Sequence, residues 1–135
     1  MLIEGSSALV VGGTGGLGEA TVRRLHSPGA RVVVADVADE KGTALQDELS
    51  GVRYVRTEGR MRSPSRRAVD EAAQASEFRI CVDCHDGPAR GGRLVGKDGT
   101  PLSLDDFRTT AEFYLTAVQH AATLQRRDDP YRTPG

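Results

Sequence analysis

Aromatic side chains are scarce in this sequence, at 4% of 135 residues. A surface that stacks nucleic-acid bases interleaves aromatics with basic residues. The basic run RMRSPSRR, with Arg60, Arg62, Arg66 and Arg67, has no aromatic within it and reads as a solvated face. Charge of one sign is not in excess either. The formal net charge is -1, too small for a global field that recruits nucleic acid or a membrane surface. Long apolar runs are missing, since no stretch approaches the roughly 20 residues that span a bilayer. The opening MLIEGSSALVVGG has no basic n-region, no long apolar core and no small-residue cleavage site. The expectation is a cytoplasmic protein with no membrane and no nucleic-acid partner. Cys81 and Cys84 are the two cysteines, and in that compartment they are expected as thiols, not as a disulfide. A G-x-S-x-G nucleophile elbow is absent, which removes the α/β-hydrolase arrangement. GGRLVGK follows a P-loop only as far as Lys97, because Asp98 stands where a Ser or Thr would hold magnesium.

What is present suits one folded domain. Hydrophobic residues at 38% and charged residues at 27% are ordinary for a globular chain long enough to bury a core. SALVVGG and RVVVAD are short, continuously apolar runs, as in strands buried on both faces. VRYVRT alternates and predicts a half-exposed strand, and FRICVDC predicts a fourth, with Ile80 and Val82 on the face opposite Cys81. Helical spacing lies between them. Leu17, Ala20 and Leu25 share one face of a first helix, which SPGA should stop. Ala38, Gly42, Leu45 and Leu49 share a face of the second. In the third, SPSRRAVDEAAQASE, Pro64 sits near the first turn and Val69, Ala72 and Ala73 face inward. Residues 87–101, crowded with Gly and Pro, read as a long loop. Ser103 and Asp106 form an S-x-x-D capping box for a last helix. Its apolar residues, Phe107, Ala111, Tyr114, Leu115, Val118, Ala121 and Ala122, cover a wide arc, which predicts packing on the sheet and on a second copy in a homodimer. Strands alternating with helices predict an α/β fold, a Rossmann-like doubly wound parallel sheet. Right-handed crossovers give about four strands in the order 3-2-1-4, with helices on both faces. Residues 1–125 form this half-domain, and 126–135 a polar tail.

The richest chemistry lies in VVGGTGGLGEA, a glycine cluster between the first strand and first helix. Glycines permit a tight turn and close approach of backbone to a pyrophosphate, and free N–H groups at the helix start favour that anion. Asp36, at the end of the second strand, follows Gly18 at close to the roughly 20-residue spacing of a carboxylate that binds the adenosine ribose. An acid there repels a 2′-phosphate and favours NAD over NADP. The plainer alternative is a glycine turn, with Asp36 capping the next helix.

These residues resemble the short-chain dehydrogenase/reductase family, whose loop reads T-G-x-x-x-G-x-G. Val11, Gly12, Gly16 and Gly18 match it except for Val in place of Thr. RVVVADV and GTPLSLDDFR look like the branch with 3-hydroxyacyl-CoA and 17β-hydroxysteroid dehydrogenases. The resemblance runs from about residue 5 to about residue 120, the N-terminal half of such an enzyme. It implies that Gly12, Gly15, Gly16, Leu17 and Gly18 surround the pyrophosphate and its ribose, and that Asp36 meets the adenosine ribose. It further implies Glu58 and Gly59 (Asp-Val in the family) at the adenine, and Cys84 along the cofactor's ribose path. The implied reaction is hydride transfer between NAD and a hydroxyl or keto carbon of a small substrate, such as a 3-hydroxyacyl-CoA. The family's catalytic Ser and Tyr-x-x-x-Lys fall beyond the matched region. Tyr54, Tyr114 and Tyr131 have no Lys four residues on, so the expectation is a truncated unit that is catalytically incomplete. A non-catalytic nucleotide-binding or dimerising module is the alternative.

CVDCHDG is a separate puzzle, because it contains the C-x-x-C-H of a covalent haem site. No export signal accompanies it, and it ends a strand, whereas a redox C-x-x-C opens a helix. Cys81, Cys84, His85 and Asp86 are too contiguous on extended backbone to close a zinc tetrahedron. By the resemblance, CVDCHDG is the family's C-A-G turn, with His85 and Asp86 replacing the small residues beside the nicotinamide end.

Overall fold

The computed structural model describes residues 3–57, 66–84, 95–109 and 111. Seven elements follow one another: β1 (Ser6–Val11), α1 (Gly16–His26), β2 (Arg31–Asp36), α2 (Asp39–Glu48), β3 (Val52–Arg56), α3 (Arg66–Ala75) and β4 (Glu77–Asp83). The four strands form one parallel sheet in the order β3-β2-β1-β4, the doubly wound order expected of right-handed crossovers. Val10 of β1 pairs with Val34 of β2 on one side and with Val82 of β4 on the other.

Alternation along the strands divides the core into two layers. Ala8, Val10, Val32, Val34 and Val52 face α1 and α2, with Val22 filling the space between and Ile80 and Val82 packed at the rim. Leu9, Val33, Ala35 and Val55 face α3, where Ala68, Val69 and Ala72 meet them beside Phe78 and Cys81. Val32, Val33 and Val34 are fully buried in succession, possible only where helices cover both sheet faces. Burying each contributes about 1.5–3 kcal/mol. The buried Ser7 hydroxyl donates to the Ala72 carbonyl at 2.5 Å, tying β1 to α3. A register shift between Ser7 and Ala8 interrupts the β1–β4 ladder. The β3 edge is blunted by Gln46 of α2, whose Oε1 accepts the Tyr54 N–H at 2.9 Å.

Two helix faces differ from the pattern expected. On α1 the inward residues are Gly18 and Val22, with Leu25 partly buried; Leu17 is 83% exposed and Ala20 is also outside. Large apolar residues do not mark the inward edge here, because the helix start approaches the sheet through Gly18. On α3, Ala68 joins Val69 and Ala72 inside, while Ala73 points outward. The α2 face holds as expected, with Gly42 and Leu45 buried and Ala38 and Leu49 half-buried.

Past the sheet, Val95 and Pro101 make an antiparallel bridge. A helical segment follows over 104–109, and Ser103 caps it. Its hydroxyl oxygen accepts the Asp106 N–H at 3.0 Å and its proton goes to the Asp106 carboxylate at 2.8 Å. Of the expected last-helix stripe, Phe107 is exposed and Ala111 half-buried; its other residues, the expected 126–135 tail and Pro64 lie outside the described residues. No helix among the described residues is long and apolar enough to cross a membrane.

Candidate functional site

The C-terminal ends of the strands gather the residues singled out in the sequence. Backbone bonds lock this rim together. The Gly12 N–H donates to the Ala35 carbonyl, the Thr57 N–H to Asp36, and the Cys84 N–H to Val11, each at 2.8 Å. Gly12, Asp36 and Cys84 therefore share one edge, with Gly15, Gly16, Leu17 and Gly18 rising from it at the start of α1. Glu58, Gly59, His85 and Asp86 lie outside the described residues. In open α/β sheets ligands bind outside this carboxyl edge.

The glycines of the loop have different reasons. Gly18 is there for close approach, since a Cβ would fall on the Gly12 carbonyl and within 3.0 Å of the Gly13 Cα. Gly16 holds φ at +49°, in the left-handed region. Gly15, the residue before the first turn, is different from both. It is extended, with φ -150° and ψ 157°, and a Cβ there would have nothing within 4 Å. Neither packing nor backbone conformation of the folded chain calls for glycine at that position. The Gly18 and Glu19 N–H groups donate back to the Gly15 carbonyl at 2.9 and 3.3 Å. Those of Gly16 and Leu17, at the start of the first turn, have no intrahelical acceptor.

Asp36 does more than its position predicts. One carboxylate oxygen accepts the Val37 N–H at 2.7 Å and the Ala38 N–H at 3.2 Å. The other accepts the Thr14 N–H at 3.0 Å, across from the glycine loop. The side chain thus closes the β2–α2 turn without capping α2, whose N-cap residue Ala38 has no side-chain cap bond, and it also latches that turn to the loop. Spacing could not reveal the Thr14 bond, which joins backbone 22 residues away.

Three further side chains converge under the same turn. Tyr54 of β3 lays its ring on Gly42 of α2, where any Cβ would overlap the ring. Its hydroxyl proton is shared between the Asp36 carbonyl at 3.0 Å and the Asp39 carboxylate at 2.9 Å. Asp39 also accepts from the Arg56 guanidinium, and Arg56 reaches the Val37 carbonyl at 3.5 Å. Burial, with Asp39 adding to it, pushes the Tyr54 phenol up to about 12, so it remains a proton donor at neutral pH. The alternating pattern of VRYVRT marked a half-buried strand but nothing of this cluster.

Cys81 packs against the α3-side core with Leu9 and Val33. Burial, reinforced by Asp83, pushes its thiol up to about 11, the direction opposite to that of a reactive thiol. Cys84 lies beyond the strand end, and both are free thiols.

A family model described as short chain dehydrogenase matches residues 6–80. The chain belongs to the short-chain dehydrogenase family. Within it, the chain is 40% identical over 90 residues to the maize (Zea mays) protein called sex determination protein tasselseed-2, which covers 66% of this chain and 27% of that protein. A solved 3-hydroxyacyl-CoA dehydrogenase type-2 from Mycobacterium avium superposes with a TM-score of 0.81 at 40% identity, over 97% of this chain and 52% of that one. A metagenomic blue fluorescent protein, solved in complex with NADPH, superposes with a TM-score of 0.75 at 28% identity, over 96% of this chain and 53% of that one. The chain thus spans about half, or less, of the length of these proteins. The family is one of oxidoreductases that bind a nicotinamide cofactor.

Proposed function

We propose that the chain binds NAD along its carboxyl edge and forms the cofactor half of an oxidoreductase. In this reading the Gly16 and Leu17 N–H groups meet the pyrophosphate, and Gly15 leaves it room. Asp36 accepts from the adenosine ribose hydroxyls, Leu17 and Cys84 flank the path beyond, and Glu58 and Gly59 stand at the adenine. Bound there, the nicotinamide ring would supply hydride transfer to or from a hydroxyl or keto carbon. The observation that carries the reading is Gly15, a glycine that the fold itself does not require, at a helix start whose first N–H groups have no intrahelical acceptor and no side-chain cap among the described residues.

NAD is favoured over NADP because the Asp36 carboxylate repels a 2′-phosphate, although the metagenomic relative above was solved with NADPH. The substrate class, as in the Mycobacterium avium enzyme's name, is a 3-hydroxyacyl-CoA. No Tyr-x-x-x-Lys occurs in these 135 residues, and on this reading they bind cofactor without turning over substrate. Leu104 and Phe107, 62% and 54% exposed at the start of the last helix, favour a homodimer through that helix.

Calorimetric titration of the 135-residue chain tests the proposal. NAD is expected to bind with micromolar affinity and NADP at least tenfold more weakly, about 1.4 kcal/mol, with no NAD reduction when a 3-hydroxyacyl-CoA is added. Absence of NAD binding contradicts the cofactor reading, and NAD reduction contradicts the catalytic one.

A further inference from the structure

The cluster beneath the β2–α2 turn is more elaborate than a structural turn requires. The turn is already closed by Asp36, which takes the Val37 and Ala38 N–H groups. Tyr54 and Arg56 add donors to the outer side of the same turn, at the Asp36 and Val37 carbonyls. Asp39 holds both of them, one on each carboxylate oxygen. Arg56 is thereby the cation of the cluster, and its charge is engaged by Asp39. Its guanidinium lies across the Val37 carbonyl, one residue from the carboxylate proposed to meet the ribose.

A 2′-phosphate at that ribose would face two carboxylates, Asp36 and Asp39, against one guanidinium. A 2′-hydroxyl suffers no such repulsion. An arginine freed from its carboxylate is the preferred partner of a phosphate, because its planar fork matches phosphate oxygens in pairs. On this reading the state of Arg56 decides between the two cofactors.

We propose that Asp39 is a cofactor-selectivity residue, which holds the Arg56 guanidinium against the β2–α2 turn and so denies it to the 2′-phosphate of NADP. Asp39 acts through Arg56 and is a positioning residue. Tyr54 fixes the carboxylate by occupying its other oxygen. The inference rests on the reading that Asp36 meets the adenosine ribose.

Calorimetric titrations of the full chain with NAD and with NADP test it, in the wild type, Asp39→Ala, Asp39→Asn, and Asp39→Ala combined with Arg56→Ala. The wild type prefers NAD. Asp39→Ala is expected to cut that preference at least tenfold, mainly by tightening NADP, and Asp39→Asn, which keeps a weaker acceptor for Arg56, falls between. The double variant should lose the gain in NADP affinity. A merely structural role would weaken both cofactors together and leave their ratio unchanged. That result overturns the proposal, as does an NADP gain that survives loss of Arg56. Should Asp39→Ala fail to fold, the ratio in Asp39→Asn decides, an unchanged ratio counting against the inference. Failure of the underlying site reading looks different: the wild type binds neither cofactor, or NAD binding is indifferent to Asp36→Ala.

Discussion

Gly18→Ala should lower the melting temperature by roughly 8–12 °C, whereas Gly15→Ala should leave it unchanged or slightly higher, and both should weaken NAD binding. The two glycines stand three positions apart, and their environments are opposite. A methyl at Gly18 falls on the Gly12 carbonyl, so either α1 or the loop must shift. Overpacking of this kind costs about 2–3 kcal/mol, and roughly 4 °C accompanies each kcal/mol in a domain of this size. The loop that moves also carries the proposed anion contacts, so NAD affinity falls with stability. At Gly15 a methyl meets nothing within 4 Å, on backbone that alanine adopts freely. Replacing glycine there removes unfolded-state freedom, worth about 0.4–1 kcal/mol in favour of the fold. If the space in front of Gly15 is where the pyrophosphate lies, that methyl still weakens NAD by roughly tenfold or more, about 1.4 kcal/mol. Thermal melts and calorimetric titrations of both variants check the pair. A Gly15→Ala protein that binds NAD as well as the wild type would show that the space serves no ligand.

Asp36→Ala should abolish measurable NAD binding, with a loss of about 100-fold or more. Two hydrogen bonds from ribose hydroxyls to a charged acceptor account for about 3 kcal/mol, roughly that factor. A second loss comes from the protein itself. The Thr14, Val37 and Ala38 N–H groups lose their acceptor together, so the loop is no longer latched to the turn. Stability should fall by about 1–2 kcal/mol, at the lower end of charged hydrogen bonds because the side chain is half-exposed. Asp36→Asn keeps one oxygen acceptor and should recover part of the stability but little of the affinity. Titration of Asp36→Ala at concentrations that saturate the wild type measures the first effect, and urea unfolding the second.

The topology was legible because each strand of the buried sheet is a short apolar run followed by a helical period. RVVVAD could hardly be anything but a strand covered on both faces, and it runs over Arg31–Asp36 as expected. Helix faces were less legible where small residues do the packing. Gly18 turns inward on α1 and leaves Leu17 in solvent, and a pattern of large apolar side chains cannot register a buried glycine. Ala68 and Ala73 on α3 carry the same ambiguity, since either alanine could face the sheet. The candidate site was legible as far as motif and spacing reach, which brings the glycine loop and Asp36 to one edge of the sheet. The Thr14 latch and the Tyr54–Asp39–Arg56 cluster were not, because they join residues whose proximity exists only once β2 and β3 pair. Cys81 shows the reverse. C-x-x-C-H reads as reactive in isolation, yet its first thiol is packed into the α3-side core.

The central claim is that NAD occupies the carboxyl edge between the glycine loop and Asp36. Amide chemical-shift mapping of the full chain during an NAD titration tests it most directly. The account predicts the largest shifts at Thr14, Gly15, Gly16, Leu17 and Val37. A shallow groove at the opposite end of the sheet, lined by Arg31, Gly51, Arg53 and Glu71, should stay unperturbed. Shifts confined to that groove, or none at saturating NAD, would contradict it.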